Sequence, residues 1–187
     1  MLKGNKVQLR EARRSDLQHF LKWFNDPEVT QYLAMYLPMT EMAEQKFIEE
    51  LGTTRVGTMA MFVIEAVEGD APKPIGNTAL SQISAKDHSA MFGIAVGEKD
   101  YWSRGYGTEA ARLIIKYGFE QLNLHRIGSG ALSFNERSIR MHLRLGFKEE
   151  GREREALFKN GSYCDHVHFG FLRAEWQALQ SNGVRKE

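Results

Sequence analysis

The feature that most constrains this chain is a stripe of small and apolar residues at Ala111, Ile114, Ile115, Gly118, Phe119 and Leu122. These positions follow the i, i+3, i+4, i+7, i+8, i+11 spacing of one helix face, so the segment reads as a long amphipathic helix that must bury that face. A strand-like run from Ala90 to Val96 precedes it, and between the two lies Trp102-Ser103-Arg104-Gly105-Tyr106-Gly107-Thr108. A strand that turns through glycines into a helix presents free backbone N–H groups at the positive end of the helix dipole, where an anion is favoured. Glycine lets an anion approach the backbone and permits positive φ. A Walker loop would need Gly-Lys-Ser/Thr at its end, and a dinucleotide fingerprint a third glycine where Ala110 stands. On these residues alone, the loop either binds phosphate or simply turns and caps.

The rest of the chain surrounds that unit with short elements. Val7-Gln8-Leu9-Arg10 alternates as a strand does, and Ser15-Asp16 introduces a helix carrying Leu17, Phe20, Leu21 and Phe24. Asn25-Asp26-Pro27 stops it, Glu28 to Met39 reads as an irregular loop, and Thr40 starts a Glu-rich helix with Phe47, Ile48 and Leu51. Ala60 to Ala66, Pro74 to Ile83 and Ala90 to Val96 read as an antiparallel meander. Beyond the long helix, Arg126 to Leu132 reads as a strand and Asn135 to Leu145 as a helix ended by Gly146. Lys148 to Ala156 and Tyr163 to Leu172 form a hairpin across Lys159-Asn160-Gly161. This order predicts an α/β (α+β) fold with a mixed, mostly antiparallel sheet of six to seven strands and helices on both faces.

Length and composition narrow the role. A chain of 187 residues with 42% hydrophobic content fits one domain over 1–187, with its core from about 7 to 172. A formal charge of +1 gives no general attraction for nucleic acid or an anionic membrane surface. Cys164 is the only cysteine, which rules out an internal disulfide or a cysteine metal cluster and suits a reducing compartment. No apolar run is long enough to span a bilayer and the polar start is no signal peptide, so a cytoplasmic protein without a metal is the expectation.

From Phe92 to Phe147 the chain runs strand, Trp-x-x-Gly-x-Gly loop, amphipathic helix, strand, Asn135-x-x-Ser138 and Leu145-Gly146-Phe147. This arrangement resembles the GNAT superfamily of N-acetyltransferases, within it the branch of ribosomal-protein N-terminal and spermidine acetyltransferases. The opening resembles that branch too, with Leu9-Arg10, Asp16-Leu17 and Asn25-Asp26-Pro27-Glu28-Val29. The resemblance spans about Val7 to Leu172 and implies transfer of acetyl from acetyl-CoA to a primary amine by direct attack in a ternary complex. In similar enzymes the pantetheine arm lies where two strands splay, and Ile94, Ala95 and Val96 occupy that place. The pyrophosphate would rest on the amides of Arg104, Gly105, Tyr106, Gly107 and Thr108, with the Arg104 guanidinium free to add a contact. Trp102 stands where many members carry Gln or Arg, and Trp is frequent in the named branch.

Asn135, Ser138 and His142 fall on one line of the following helix, with Ile139 and Leu143 beside them toward the core. The resemblance gives Asn135 and Ser138 to the coenzyme, although Asn135 also suits a helix N-cap. His142 stands where many relatives place a tyrosine that protonates the departing thiolate, and an imidazolium is a competent acid. Met91 stands where many relatives carry a basic glutamate, which leaves His88, His166 and His168 as substitutes. Glu41, Glu44, Glu49 and Glu50 read as a solvated helix face, not a polyamine site. The expected acceptor is a peptide N-terminus, a polyamine or another small amine. A homodimer through the last strands, with Tyr163 and Phe171 exposed, is a further expectation. The alternative is a CoA-binding regulatory module without turnover.

Overall fold

The computed structural model describes residues 1–51 and 57–183, with the side chains of 182 and 183 left aside. Its frame is one sheet of eight strands in the order β1-β2-β3-β4-β5-β6-β8-β7. The strands are β1 (Leu2–Lys3), β2 (Val7–Glu11), β3 (Ala60–Ala66), β4 (Lys73–Ser84), β5 (Ser89–Val96), β6 (Arg126–Leu132), β7 (Lys148–Lys159) and β8 (Ser162–Leu172). All neighbours are antiparallel except β5 and β6. The count exceeds the expected six to seven because the two-residue β1 carries no periodicity of its own to read. It is held by pairing with Gln8 and Leu9 of β2.

The helices are α1 (Leu17–Phe24), α2 (Pro27–Thr30), α3 (Glu41–Leu51), α4 (Tyr106–Glu120), α5 (Glu136–Leu145) and α6 (Arg173–Gly183). Alternation along β3 shows how they divide between the faces. Ile64 joins the large core under α4, with Ile114, Ile115 and Phe119, while Val63 points the other way to Phe20 and Trp23 of α1 and Ile48 of α3. Both faces of that half of the sheet are therefore covered. In the other half, Val167, Phe169 and Phe171 of β8 face the α4 core.

Four expectations change. The loop after Pro27 begins as a helix, because Asp26 accepts from the Glu28 N–H and Pro27 sits at the first helical position. Phe171 is buried at 1% exposure, packed edge-on to Phe119, so of the two aromatics only Tyr163 lies at the surface. Leu143 is exposed rather than turned to the core. Glu44, placed on a solvated face, is 1% exposed and its Oε1 has no hydrogen-bond partner. That burial raises the Glu44 pKa above the ordinary carboxylate range.

On the α1/α3 face, Arg10 ties β2 to the chain after it. Its guanidinium grips Asp16 through two bonds of 2.7 Å and donates through Nε to Glu65 at 2.7 Å. This fixes the entry to α1, ahead of the loop that follows that helix. At the far end, Lys159 donates to the carbonyls of Thr30 and Met35, anchoring the tip of the β7–β8 hairpin to that same loop. No described helix is long and apolar enough to cross a membrane.

Candidate active site

The parallel pair β5 and β6 is joined only at Ser89↔Arg126, Ala90↔Ile127 and Met91↔Gly128. Beyond Met91 the strands diverge, and the opening between them continues into a cleft of about 720 Å³. Phe92, Gly93, Ile94, Ala95 and Val96 line one side, Ser129, Gly130 and Ala131 the other, and α5 closes it with Asn135, Arg137, Ser138, Met141 and His142. Trp102, Ser103, Gly105, Gly107 and Thr108 stand at its end.

The splay leaves one edge of β5 without a partner strand. Successive residues turn their N–H and C=O to alternate edges, so Phe92, Ile94 and Val96 address the cleft. Two of the three carbonyls have a side-chain polar atom within reach. Ser129 Oγ lies 3.0 Å from the Phe92 carbonyl, and Trp102 Nε1 donates to the Val96 carbonyl at 2.7 Å. Ile94 between them keeps an N–H and C=O pair directed into the opening.

Gly105 is the N-cap of α4 at φ 90°, a left-handed conformation suited to glycine. No side chain caps this helix, so the amides of its first turn point into the cleft unsatisfied. Helix α5 differs, because Asn135 Oδ1 accepts from the Ser138 N–H at 3.1 Å. The cap role of Asn135 is therefore filled, and its remaining amide group faces the cleft. Lys6 holds the loop from behind by donating through Nζ to the Arg104 carbonyl at 3.1 Å.

Two side chains of the loop are engaged away from the cleft. The Arg104 guanidinium donates to the Asp100 carbonyl at 3.1 Å, pairs with Glu68 at 3.4 Å and lies over the rings of Tyr101 and Tyr106. It does not line the cleft. Tyr106 is 2% exposed and belongs to the core, so only their backbone amides remain for a ligand. Of the cations that line the cleft, Arg137 is stacked 4.7 Å from the Trp102 ring centre and 5.1 Å from that of Tyr32. Arg140 and Arg144 follow on the same rim. Their i, i+3, i+7 spacing was readable in the sequence, but it shares the helix with the Asn135, Ser138, His142 line and nothing local marks which line faces inward.

His142 lies at the cleft floor and is 2% exposed. Its ring stacks on Phe169 at 4.7 Å and 10°, with the rings of Phe92 and Phe147 edge-on to it. Nδ1 is 2.7 Å from the Ser138 carbonyl, which accepts only, so Nδ1 carries a proton. Nε2 is 2.7 Å from Ser129 Oγ. Burial lowers the His142 pKa, against a smaller opposing effect of the Ser138 carbonyl. The neutral ring is the favoured state, with Nε2 accepting the single Ser129 hydroxyl proton in place of the Phe92 carbonyl.

Met91 faces the opposite side of the sheet, where a second pocket of about 260 Å³ is lined by Gln82, Met91, Arg126, Gly128, Glu150 and His168. Of the three histidines named as substitute bases, His168 alone borders it. His166 lies against Gly130 of β6. His88 sits in the β4–β5 turn at φ 49°, its carbonyl accepting from Arg126. Cys164 is half-buried in the outer part of β8, away from both pockets.

Residues 6–148 match the acetyltransferase (GNAT) domain. The chain belongs to the GNAT acetyltransferase family. This acetyltransferase is 28% identical over 173 residues to an uncharacterised N-acetyltransferase of Bacillus licheniformis, covering 91% of this chain and 95% of that one. It is 28% identical over 182 residues to the spermidine N(1)-acetyltransferase of Escherichia coli (strain K12), covering 95% and 92% respectively. A crystal structure of spermidine N-acetyltransferase from Vibrio cholerae, in complex with CoA and spermine, superposes with a TM-score of 0.80 at 24% identity, over 92% of this chain and 98% of that one. The fold of the acetyltransferase and its place among amine-acetylating relatives agree with the resemblance drawn from its motifs.

Proposed function

We propose that this enzyme moves acetyl from acetyl-CoA to a primary amine by direct attack in a ternary complex. The observation that carries the reading is the joint placement of the β5–β6 splay and the uncapped N-terminus of α4 in one cleft. An extended amide-bearing arm pairs naturally with the free N–H and C=O of Ile94, flanked by Ala95 and Val96. A pyrophosphate fits the amides of Arg104, Gly105, Tyr106, Gly107 and Thr108. Trp102 walls the junction, Arg137 offers a charge to a phosphate, and Asn135 and Ser138 face the arm. Amine-acetylating relatives support the same reading, and the Vibrio cholerae enzyme was solved with CoA.

Direct attack needs the amine as free base, and no carboxylate stands at Met91 to take its proton. A peptide α-amino group, with an ordinary pKa of about 7.7 to 8.0, needs the least help, whereas a polyamine needs more. The relatives' spermine and spermidine favour the polyamine. The exposed carbonyl thioester and the departing thiolate would meet the floor formed by Ser129 and His142.

His142 enters as the acid in one form only. As imidazolium it would donate through Nε2 to Ser129, whose hydroxyl would pass a proton toward the thiolate. A specific observation favours a second reading: Nδ1 is committed to the Ser138 carbonyl, Nε2 to Ser129, and burial lowers the pKa of the ring. In that reading His142 positions Ser129 and β6, and the thiolate departs unassisted. The functional test is free-thiol release from acetyl-CoA with a panel of peptides, polyamines and aminoglycosides. Release with a member of the panel supports the enzyme, and tight CoA binding without release across the panel would overturn the reading.

A further inference from the structure

The β7–β8 half of the sheet carries a cluster that the cleft does not use. Residues 166 and 168 are two apart on β8, so both imidazoles stand on one face of the strand, opposite the Val167 and Phe169 side chains that enter the core. Register places Glu153 of β7 directly across from His166. Glu153 Oε2 lies 3.3 Å from His168 Nε2 and 3.8 Å from His166 Nδ1. One ligand atom from each of the three side chains falls within 4.8 Å of the others.

Two further observations separate this cluster from an ordinary surface ion pair. His168 Nε2 is buried and has no hydrogen-bond partner, although a carboxylate oxygen stands 3.3 Å away. Two polar atoms that close without a bond are spaced as neighbouring ligands are around a common centre. Around a tetrahedral zinc ion with bonds of about 2.0 to 2.1 Å, ligand atoms lie roughly 3.3 Å apart. Gly130 on β6 is the second observation, since a Cβ there would collide with the His166 ring. The glycine lets that imidazole lie down against the sheet beside its partner. Gly130 also lines the large cleft, so the cluster shares a wall with it.

We propose that Glu153, His166 and His168 form a three-ligand site for a zinc-class divalent cation. Two imidazoles and one carboxylate suit zinc and its neighbours in the transition series, while magnesium and calcium prefer all-oxygen sets. Three protein ligands leave a fourth position open to water or a substrate group. The side chains are partly exposed, so an ion has access.

The test uses the full, untagged chain after treatment with a chelator, titrated with Zn2+ alone in a calorimeter. One ion per chain is expected, with affinity weakened tenfold or more in Glu153→Gln and in His168→Gln. Co2+ added in place of Zn2+ should develop visible ligand-field absorption that both variants lose. Glu153 is exposed, so its variant folds even if a histidine substitution does not, and far-UV circular dichroism checks both. Absence of saturable Zn2+ binding would overturn the proposal. So would wild-type affinity in folded variants, which would place the ion elsewhere. Neither result bears on acetyl transfer.

Discussion

Gly105→Ala isolates what the start of α4 does. The residue sits at φ 90°, and the nearest atom to an added Cβ is Lys6 Nζ at 4.0 Å, so the substitution meets no clash and its cost is conformational. Holding an alanine in the left-handed region costs about 1–2 kcal/mol. If the loop keeps its shape, that amount appears as lost stability in denaturant unfolding. If the loop relaxes, the unliganded protein escapes the strain, and coenzyme A must restore the left-handed turn on binding. The dissociation constant then rises about fivefold to thirtyfold, since 1.4 kcal/mol is a factor of ten. Titration calorimetry with CoA and urea unfolding together capture both routes. Gly105→Asn should recover most of the loss, because asparagine tolerates this conformation better than alanine. An alanine variant with wild-type stability and wild-type CoA affinity would refute the reasoning, as would an asparagine variant as impaired as alanine.

Further predictions concern buried charge and the cleft floor. Asp16→Asn removes one of the two carboxylates paired with the buried Arg10 guanidinium and leaves Glu65 as the other, and should cost about 1–3 kcal/mol in chemical unfolding at pH 7. Burial alone would raise the Asp16 pKa, but the Arg10 bonds outweigh it and hold it below the ordinary value. The stabilisation is therefore present above the unfolded pKa of about 3.9 and lost as pH falls toward the folded one; an acid limb unchanged in the variant would contradict this. Glu44→Gln should stabilise the protein by about 1 kcal/mol or more at pH 7 by removing a buried carboxylate whose Oε1 has no hydrogen-bond partner. The Glu44 pKa is raised in the fold, so wild type should lose stability as pH climbs through the raised value while the variant does not. His142→Gln should keep kcat within about threefold of wild type from pH 6 to 9 if the ring is a neutral positioning group. A loss beyond tenfold, with a wild-type rate that falls as pH rises through a value below the ordinary histidine pKa of about 6.5, would reinstate it as the acid.

The elements that define the cleft were legible because each has its own local signal. The α4 stripe, the Asn135 cap, the Gly146 stop and the Asn160-Gly161 turn all act within a few residues. Ala60–Ala66 and Arg126–Leu132 match their sequence runs to the residue. What escaped depends on partners far along the chain. Arg104 looks like a free loop cation until Glu68 and the Tyr101 and Tyr106 rings are brought to it. Glu44 lies in a polar run, and only packing of α3 against its surroundings buries it. Helix α6 gives a weak periodic pattern and is held by Trp176 against Phe119. The direction of Arg137 likewise follows from the position of the Trp102 ring. The Glu153, His166, His168 cluster needs the β7 register, which a shift between Glu149 and Gly151 makes unreadable from the sequence.

Initial-rate kinetics with acetyl-CoA and an amine acceptor, each varied at fixed levels of the other, tests the central claim most directly. Direct attack within a ternary complex predicts double-reciprocal lines that intersect, with the acetylated amine and free CoA formed in equal amounts and no acetyl on the protein. Parallel lines together with an acetylated Cys164 in the absence of acceptor would contradict the account.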